Sequence, residues 1–232
     1  MSRKVKLLIL IIISFSVYFI YQNNNTKDIK IVSLGDGLSL GINSYGIKEY
    51  SYIDYWKDSL ENKGIKVEIN QEYSKKDLSI FQLLEVIKYN PKIKRDLTEA
   101  HYVILNLGYN DLLYKLSLDK KISVANFNYI LKDIEKNYQE LIKEIKKYYK
   151  KEIIVIGYYS HDKDNYYKIM GIRRLNQILC TEENIEYIDT YRLLADSKLY
   201  FSNPNSYYPN KKGYQKIAEQ IITKTLEKKD RI

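Results

Sequence analysis

The sequence predicts an α/β protein, a three-layer, doubly wound (flavodoxin-like) parallel sheet of about five strands preceded by an N-terminal transmembrane helix. Two patterns predict the sheet. Short segments rich in Ile, Val and Leu recur at Ile29–Leu34, Ile65–Ile69, His101–Leu107, Ile153–Gly157 and Ile185–Asp189, as strands covered by helices on both faces require. Between them lie segments whose apolar residues fall at helical spacing, and this alternation of strand and helix favours right-handed crossovers over any all-α or all-β plan. A third pattern predicts the membrane helix: Arg3, Lys4 and Lys6 stand before the uncharged apolar run Leu7–Tyr21.

That run is short for a spanning helix but ends in Tyr18 and Tyr21, which suit the membrane interface. It carries no small-x-small cleavage site and is followed by no lipid-accepting cysteine, so it reads as an uncleaved signal anchor. Residues 1–28 then form an anchor and an Asn-rich linker, and residues 29–232 a single domain. With the positive flank inside, this domain lies on the outer face of the cell membrane as a single-pass protein.

Along the domain, Ile29–Leu34 reads as a central strand. Ser51 and Asp54 have capping-box spacing, and Tyr52, Ile53, Trp56 and Leu60 give the next helix its buried stripe until Gly64. Ile65–Ile69 alternates as an edge strand does. Asp77 is placed to cap a helix carrying Ile80, Leu83, Leu84 and Ile87, which must stop before Pro91. The longest helix spans residues 124–149, from Phe127 through Ile134, Tyr138 and Leu141 to Ile145 at steps of three and four. Helices over 166–181 and 211–226 complete the alternation.

Composition narrows the function. The net charge of +9 arises from 38 basic and 29 acidic residues, intermingled without a long basic block, which suits a solvated surface and gives no nucleic-acid face. Cys180 is the only cysteine, so no internal disulfide and no Cys-x-x-Cys site exist; beside Ile178 and Leu179 it is expected in the core. Two isolated histidines suggest no metal cluster, and no cofactor is expected. The 25 tyrosines are largely compositional, but Tyr45, Tyr50 and Tyr52 follow the first strand's end closely and offer flat hydrogen-bonding surfaces to a cell-surface glycan or protein partner.

Doubly wound sheets bind ligands beyond the carboxyl ends of their strands. Gly35-Asp36-Gly37, Gly108-Tyr109-Asn110-Asp111 and the loop over residues 158–162 fall there. The first strand runs into Gly35-Asp36-Gly37-Leu38, the third into Gly108-Tyr109-Asn110-Asp111, and the last helix is preceded by Asn205-Ser206-Tyr207-Tyr208-Pro209-Asn210. Together they resemble blocks I, III and V of the SGNH/GDSL hydrolases, over nearly the whole chain from residue 29 to about 226. The resemblance implies an esterase fold in which Gly37 stands at the nucleophilic serine's place, Tyr208 at the histidine's and Asn205 at the orienting aspartate's. Asn110 matches the oxyanion-hole asparagine; its other reading, with Asp111, is a turn held by side-chain to backbone bonds. The family's block II glycine should fall near Ser74–Asp77, where there is none. A phenol with an ordinary pKa near 10 is a poor base at neutral pH, and an amide cannot stabilise an imidazolium as a carboxylate does. The expected function is therefore a non-catalytic binding or scaffold protein whose vestigial site comprises Asp36, Gly37, Asn110, Asp111, Asn205 and Tyr208. Asp36 in this reading braces its own turn. The alternative is an active esterase or acyltransferase on cell-surface carbohydrate esters with a non-standard residue set, in which His161 replaces the base.

Overall fold

A computed structural model describes residues 28–118, 122–160, 165–203 and 206–229. Five parallel strands form one sheet in the order β2-β1-β3-β4-β5: β1 (Ile29–Gly35), β2 (Val67–Asn70), β3 (Tyr102–Asn106), β4 (Ile153–Ile156) and β5 (Ile185–Ile188). The register aligns Gly35 of β1 with Asn106 of β3 and Val155 of β4 with Leu105. The carboxyl ends of the three central strands therefore finish side by side, and the loops that follow them converge. Ile65, expected in the edge strand, lies just before it; its N–H closes the preceding helix by donating to Leu60 O at 3.2 Å.

Nine helices are described: α1 (Tyr52–Glu61), α2 (Ile80–Tyr89), α3 (Pro91–Glu99), α4 (Tyr109–Ser117), α5 (Val124–Tyr148), α6 (Tyr166–Thr181), the single turns α7 (Thr190–Leu193) and α8 (Ser197–Tyr200), and α9 (Lys211–Lys229). Strand side chains alternate between two faces, and each face has its own core. Val32, Leu34, Val103, Leu105 and Val155 pack with Leu83, Ile87, Leu112, Tyr138 and Leu175 of α2, α4, α5 and α6. Ile29, Ile31, Ile104 and Ile154 pack with Trp56 of α1 and Ile217 and Ile221 of α9. At about 1.5–3 kcal/mol for each fully buried aliphatic or aromatic side chain, these two layers are the main favourable term in stability.

The structure corrects several expectations. Asp77 does not cap α2: Ser79 does, with Gln82 closing a reciprocal box at 3.2 and 3.0 Å. Ser79 sits immediately before the first helical residue, so its short hydroxyl reaches the exposed amide that Asp77 is too far upstream to meet. Pro91 both ends α2 and opens α3, where its missing N–H costs nothing at the first helical position and Asn90 supplies the cap. Tyr109 to Ser117, read only as a turn, is helix α4. Cys180 is exposed rather than core: α6 buries Gly171, Ile172, Leu175, Ile178 and Leu179, and residue 180 points off that stripe. Among the described residues no helix is long and apolar enough to cross a membrane; the anchor and linker expected over residues 1–27 lie outside them.

Candidate active site

The turn after β1 is built by hydrogen bonds from three directions. Asp36 N–H donates to Asn106 O of β3 at 3.1 Å, and Leu38 N–H donates to Asp36 Oδ1 at 2.9 Å. From the other side, Ser74 Oγ accepts Gly35 N–H at 3.1 Å and lies 2.9 Å from Ser33 Oγ, while Lys75 N–H donates to Gly35 O at 3.0 Å. The segment at Ser74–Asp77, where block II was expected, is thus strapped directly to the Gly35-Asp36-Gly37 turn. Asp36 braces its turn as expected, but with one oxygen only. Oδ2 is buried with no hydrogen-bond partner among the described residues. Loss of water around this carboxyl raises its pKa to about 7 despite the opposing backbone N–H groups.

Gly37 is pressed against Tyr208. A Cβ on residue 37 would stand 2.3 Å from the Tyr208 hydroxyl oxygen and 2.8 Å from Cζ, well inside any real carbon contact. The Tyr208 phenol therefore lies in the volume that a side chain at 37 would need, and any such side chain requires the ring to shift. A small bridge fixes its backbone: Tyr208 N–H donates to Ser206 Oγ at 3.0 Å, and that hydroxyl donates to Tyr208 O at 3.1 Å. Burial, reinforced by the nearby Asp36 charge, raises the phenol's pKa, so it is protonated at neutral pH and supplies even less phenolate to act as a base than an exposed tyrosine does.

A stack of aromatic rings lies behind Tyr208. Tyr207 stacks on Tyr109 at 3.9 Å and 6°, and on Tyr159 at 5.5 Å and 20°; Tyr109 also stacks on Tyr158 at 5.6 Å. Tyr208 meets Tyr207 edge-on at 5.3 Å, and Tyr159 Oη donates to Tyr207 O. Each pair adds about 0.5–1.5 kcal/mol beyond area burial. The sequence shows Tyr207 and Tyr208 in one motif, but not their partners, which come from the ends of β3 and β4.

Asn110 and Asp111 open α4, reached through Gly108 at φ +116°, a conformation side-chain-bearing residues rarely adopt. Asn110 Nδ2 donates to Lys76 O at 3.2 Å and Leu78 O at 3.3 Å. Asp111 accepts Ile80 N–H at 3.1 and 3.2 Å through its two carboxylate oxygens, holding the first residue of α2. Its pKa is raised by burial, partly offset by that N–H. Asn110 and Asp111 thus join the loop before α2 to the start of α4. These bonds run to another segment and not to the Gly108–Asp111 turn itself.

The Tyr45, Tyr50 and Tyr52 group is not one surface. Tyr52 is fully buried with its hydroxyl 2.7 Å from Ser39 Oγ, while Tyr45 is 80% and Tyr50 53% exposed. Tyr52 opens α1 on its buried stripe, whereas Tyr45 lies in the turn before it. Asn205 and His161 lie outside the described residues. Among those described, Asp36, Gly37, Asn110, Asp111 and Tyr208 gather at the carboxyl edge of the sheet.

No curated protein matches this chain. Solved structures do. The lipase Lip_vut3 from a goat rumen metagenome is 22% identical, covers 84% of this chain and 96% of its own, and superposes with a TM-score of 0.69. A member of the lipolytic protein G-D-S-L family from Veillonella parvula is 20% identical over 84% of this chain and 97% of its own, at 0.60. A catalytic mutant of Axe2, an acetylxylan esterase from Geobacillus stearothermophilus, is 14% identical over 84% and 93%, at 0.64. At these identities the likeness speaks to the fold. A family model described as GDSL-like lipase/acylhydrolase matches residues 31–221, the span from β1 into α9 that carries all three sequence blocks, and the chain belongs to that family.

Proposed function

We propose that this protein is a membrane-anchored member of the GDSL-like family whose domain faces outward and binds at the cell surface without hydrolysing. Its partners are the membrane, through the N-terminal helix, and a surface glycan or protein. One observation carries this reading: the Tyr208 hydroxyl occupies the space of any side chain at residue 37. The absence of a serine and the position of the tyrosine are thus two halves of one packing arrangement, not two separate substitutions. Catalysis by the family's route needs a hydroxyl at 37, a base able to take its proton and preorganised donors for the oxyanion. Here the first is absent. The residue at the base's place is a raised-pKa phenol, and Asn110 already donates to two backbone carbonyls.

A second reading, an esterase or acyltransferase on surface carbohydrate esters with a non-standard residue set, is favoured by Asp36 alone, a buried carboxyl brought to near-neutral pKa in the cleft. One experiment separates them. The purified full chain is incubated with p-nitrophenyl acetate and with a fluorophosphonate probe, beside Asn110→Ala and Asp36→Asn. The binding reading expects no labelling and equal background rates for all three. Wild-type turnover that either substitution abolishes would establish the second reading instead.

A further inference from the structure

We infer that the groove between α2, α4 and α5 is a binding site for a neutral oligosaccharide, with Phe81 and Tyr114 as its two stacking platforms. The groove has a volume of about 600 Å³ and opens to solvent. Neither Gly37 nor Tyr208 lines it, so the packing of Tyr208 against residue 37 does not fill this space. Phe81, the second residue of α2, and Tyr114, on α4, are 63% and 66% exposed. Two large rings left in water at one groove are costly unless something covers them.

The polar lining narrows the ligand. Gln82 uses its amide oxygen to accept Ser79 N–H at 3.0 Å, which leaves its amide N–H groups as donors. Asn137 directs its amide N–H at Asp133 at 3.4 Å, which leaves its oxygen as an acceptor, and the Asp77 carboxylate adds a second acceptor to the lining. The cation in the lining, Lys115, is held by Asp133 at 2.8 Å. The site thus presents aromatic faces, donors and acceptors with no free positive charge, and its two lining carboxylates disfavour a phosphate or sulfate polymer. A ligand that matches has flat apolar faces and many hydroxyls but no charge, which is a sugar chain. This deepens the binding reading above and rests on it only in that the protein holds its ligand without turnover.

The test titrates cellohexaose, xylohexaose and chitohexaose, by calorimetry, into the full chain kept in a detergent without a sugar headgroup. At least one hexasaccharide is expected to bind with a Kd between about 10 μM and 1 mM, weakened at least about fivefold by Phe81→Ala and by Tyr114→Ala, and retained by Tyr45→Ala, a ring in the turn before α1 that does not line the groove. Because Trp56, the only native tryptophan, is buried, Tyr114→Trp supplies a second readout that keeps the ring: its emission should shift on adding the bound sugar. No binding by any of the three, or binding that survives both alanine changes with no Tyr114→Trp shift, overturns the groove. Binding lost in Tyr45→Ala but kept in Phe81→Ala overturns it too, while leaving the non-catalytic reading standing, since that reading fails only on ester turnover.

Discussion

The two turns at the carboxyl edge of the sheet are held in opposite ways. At Gly35-Asp36-Gly37 the backbone is pinned to β3 and to the Ser74 strap, and residue 37, with no side chain of its own, packs against the Tyr208 ring. At Gly108-Tyr109-Asn110-Asp111 the family's residues are all present, but their polar atoms hold other backbone groups: Asn110 on the Lys76 and Leu78 carbonyls, Asp111 on the Ile80 amide. Asn110 and Asp111 therefore hold the fold together at this turn, whatever else they do. The difference teaches that Asn110 is accounted for by the fold alone, and that the proposed binding function rests on the packing at residue 37.

The largest effect that would sharpen this contrast is regained turnover. Gly37→Ser alone should give none, because its Cβ would meet the Tyr208 ring, and it should destabilise the fold by about 1–3 kcal/mol. The combination Gly37→Ser, Asn205→Asp and Tyr208→His removes that ring and restores the family's residue types; p-nitrophenyl acetate hydrolysis should rise about ten- to a hundredfold over wild type. Recovery stays partial because no glycine occupies the Ser74–Asp77 segment, and a missing oxyanion donor costs about 10²–10³ in rate. If Gly37→Ser alone is as stable and as active as the triple change, the packing argument fails.

Next in size is the pH response of the first turn. The Asp36 carboxyl titrates near 3.8 when unperturbed and is raised to about 7 in the fold, so the folded state holds its proton more tightly than the unfolded chain. That stabilisation is complete below pH 4, drains away as pH rises from about 4 to 7, and is gone above. At about 1.4 kcal/mol per pKa unit the loss approaches about 4 kcal/mol. Urea unfolding at pH 4.5 and pH 8 should show it in wild type, and Asp36→Asn, which keeps an acceptor for Leu38 N–H, should flatten the difference. An equal slope in both proteins would mean that Asp36 is not buried as described.

The second turn offers two smaller tests. Asp111→Ala strips the acceptor from the first amide of α2 and should cost about 1–3 kcal/mol of stability, read as a lower urea midpoint at constant slope. Asn110→Ala should cost about 1 kcal/mol, as the Lys76 and Leu78 carbonyls lose a donor. If either change left stability untouched, the claim that this turn survives for structural reasons would lose its support.

The sequence by itself determined the layered α/β plan, because buried parallel strands need continuous apolar runs and their covering helices need a three-to-four stripe; both patterns are local. It also placed Asp36, Gly37, Asn110 and Asp111 at one edge, since loops that follow parallel strands must emerge on the same side, while Tyr208 joined them only through the family resemblance. Helix starts were less legible: Asp77 and Ser79 are both capping residue types two positions apart, and only the direction of the first free amide chose Ser79. Cys180 looked buried from its neighbours Ile178 and Leu179, but which of three consecutive helical residues faces the sheet depends on how α6 is rotated against it. Only the tertiary structure decided that Gly37 and Tyr208, distant in the chain, share one volume, that Asn110 and Asp111 serve the loop before α2, and that Tyr207 stacks on Tyr109 and Tyr159. Each is a contact between segments that the sheet brings together, and its energy depends on distances that no single segment encodes.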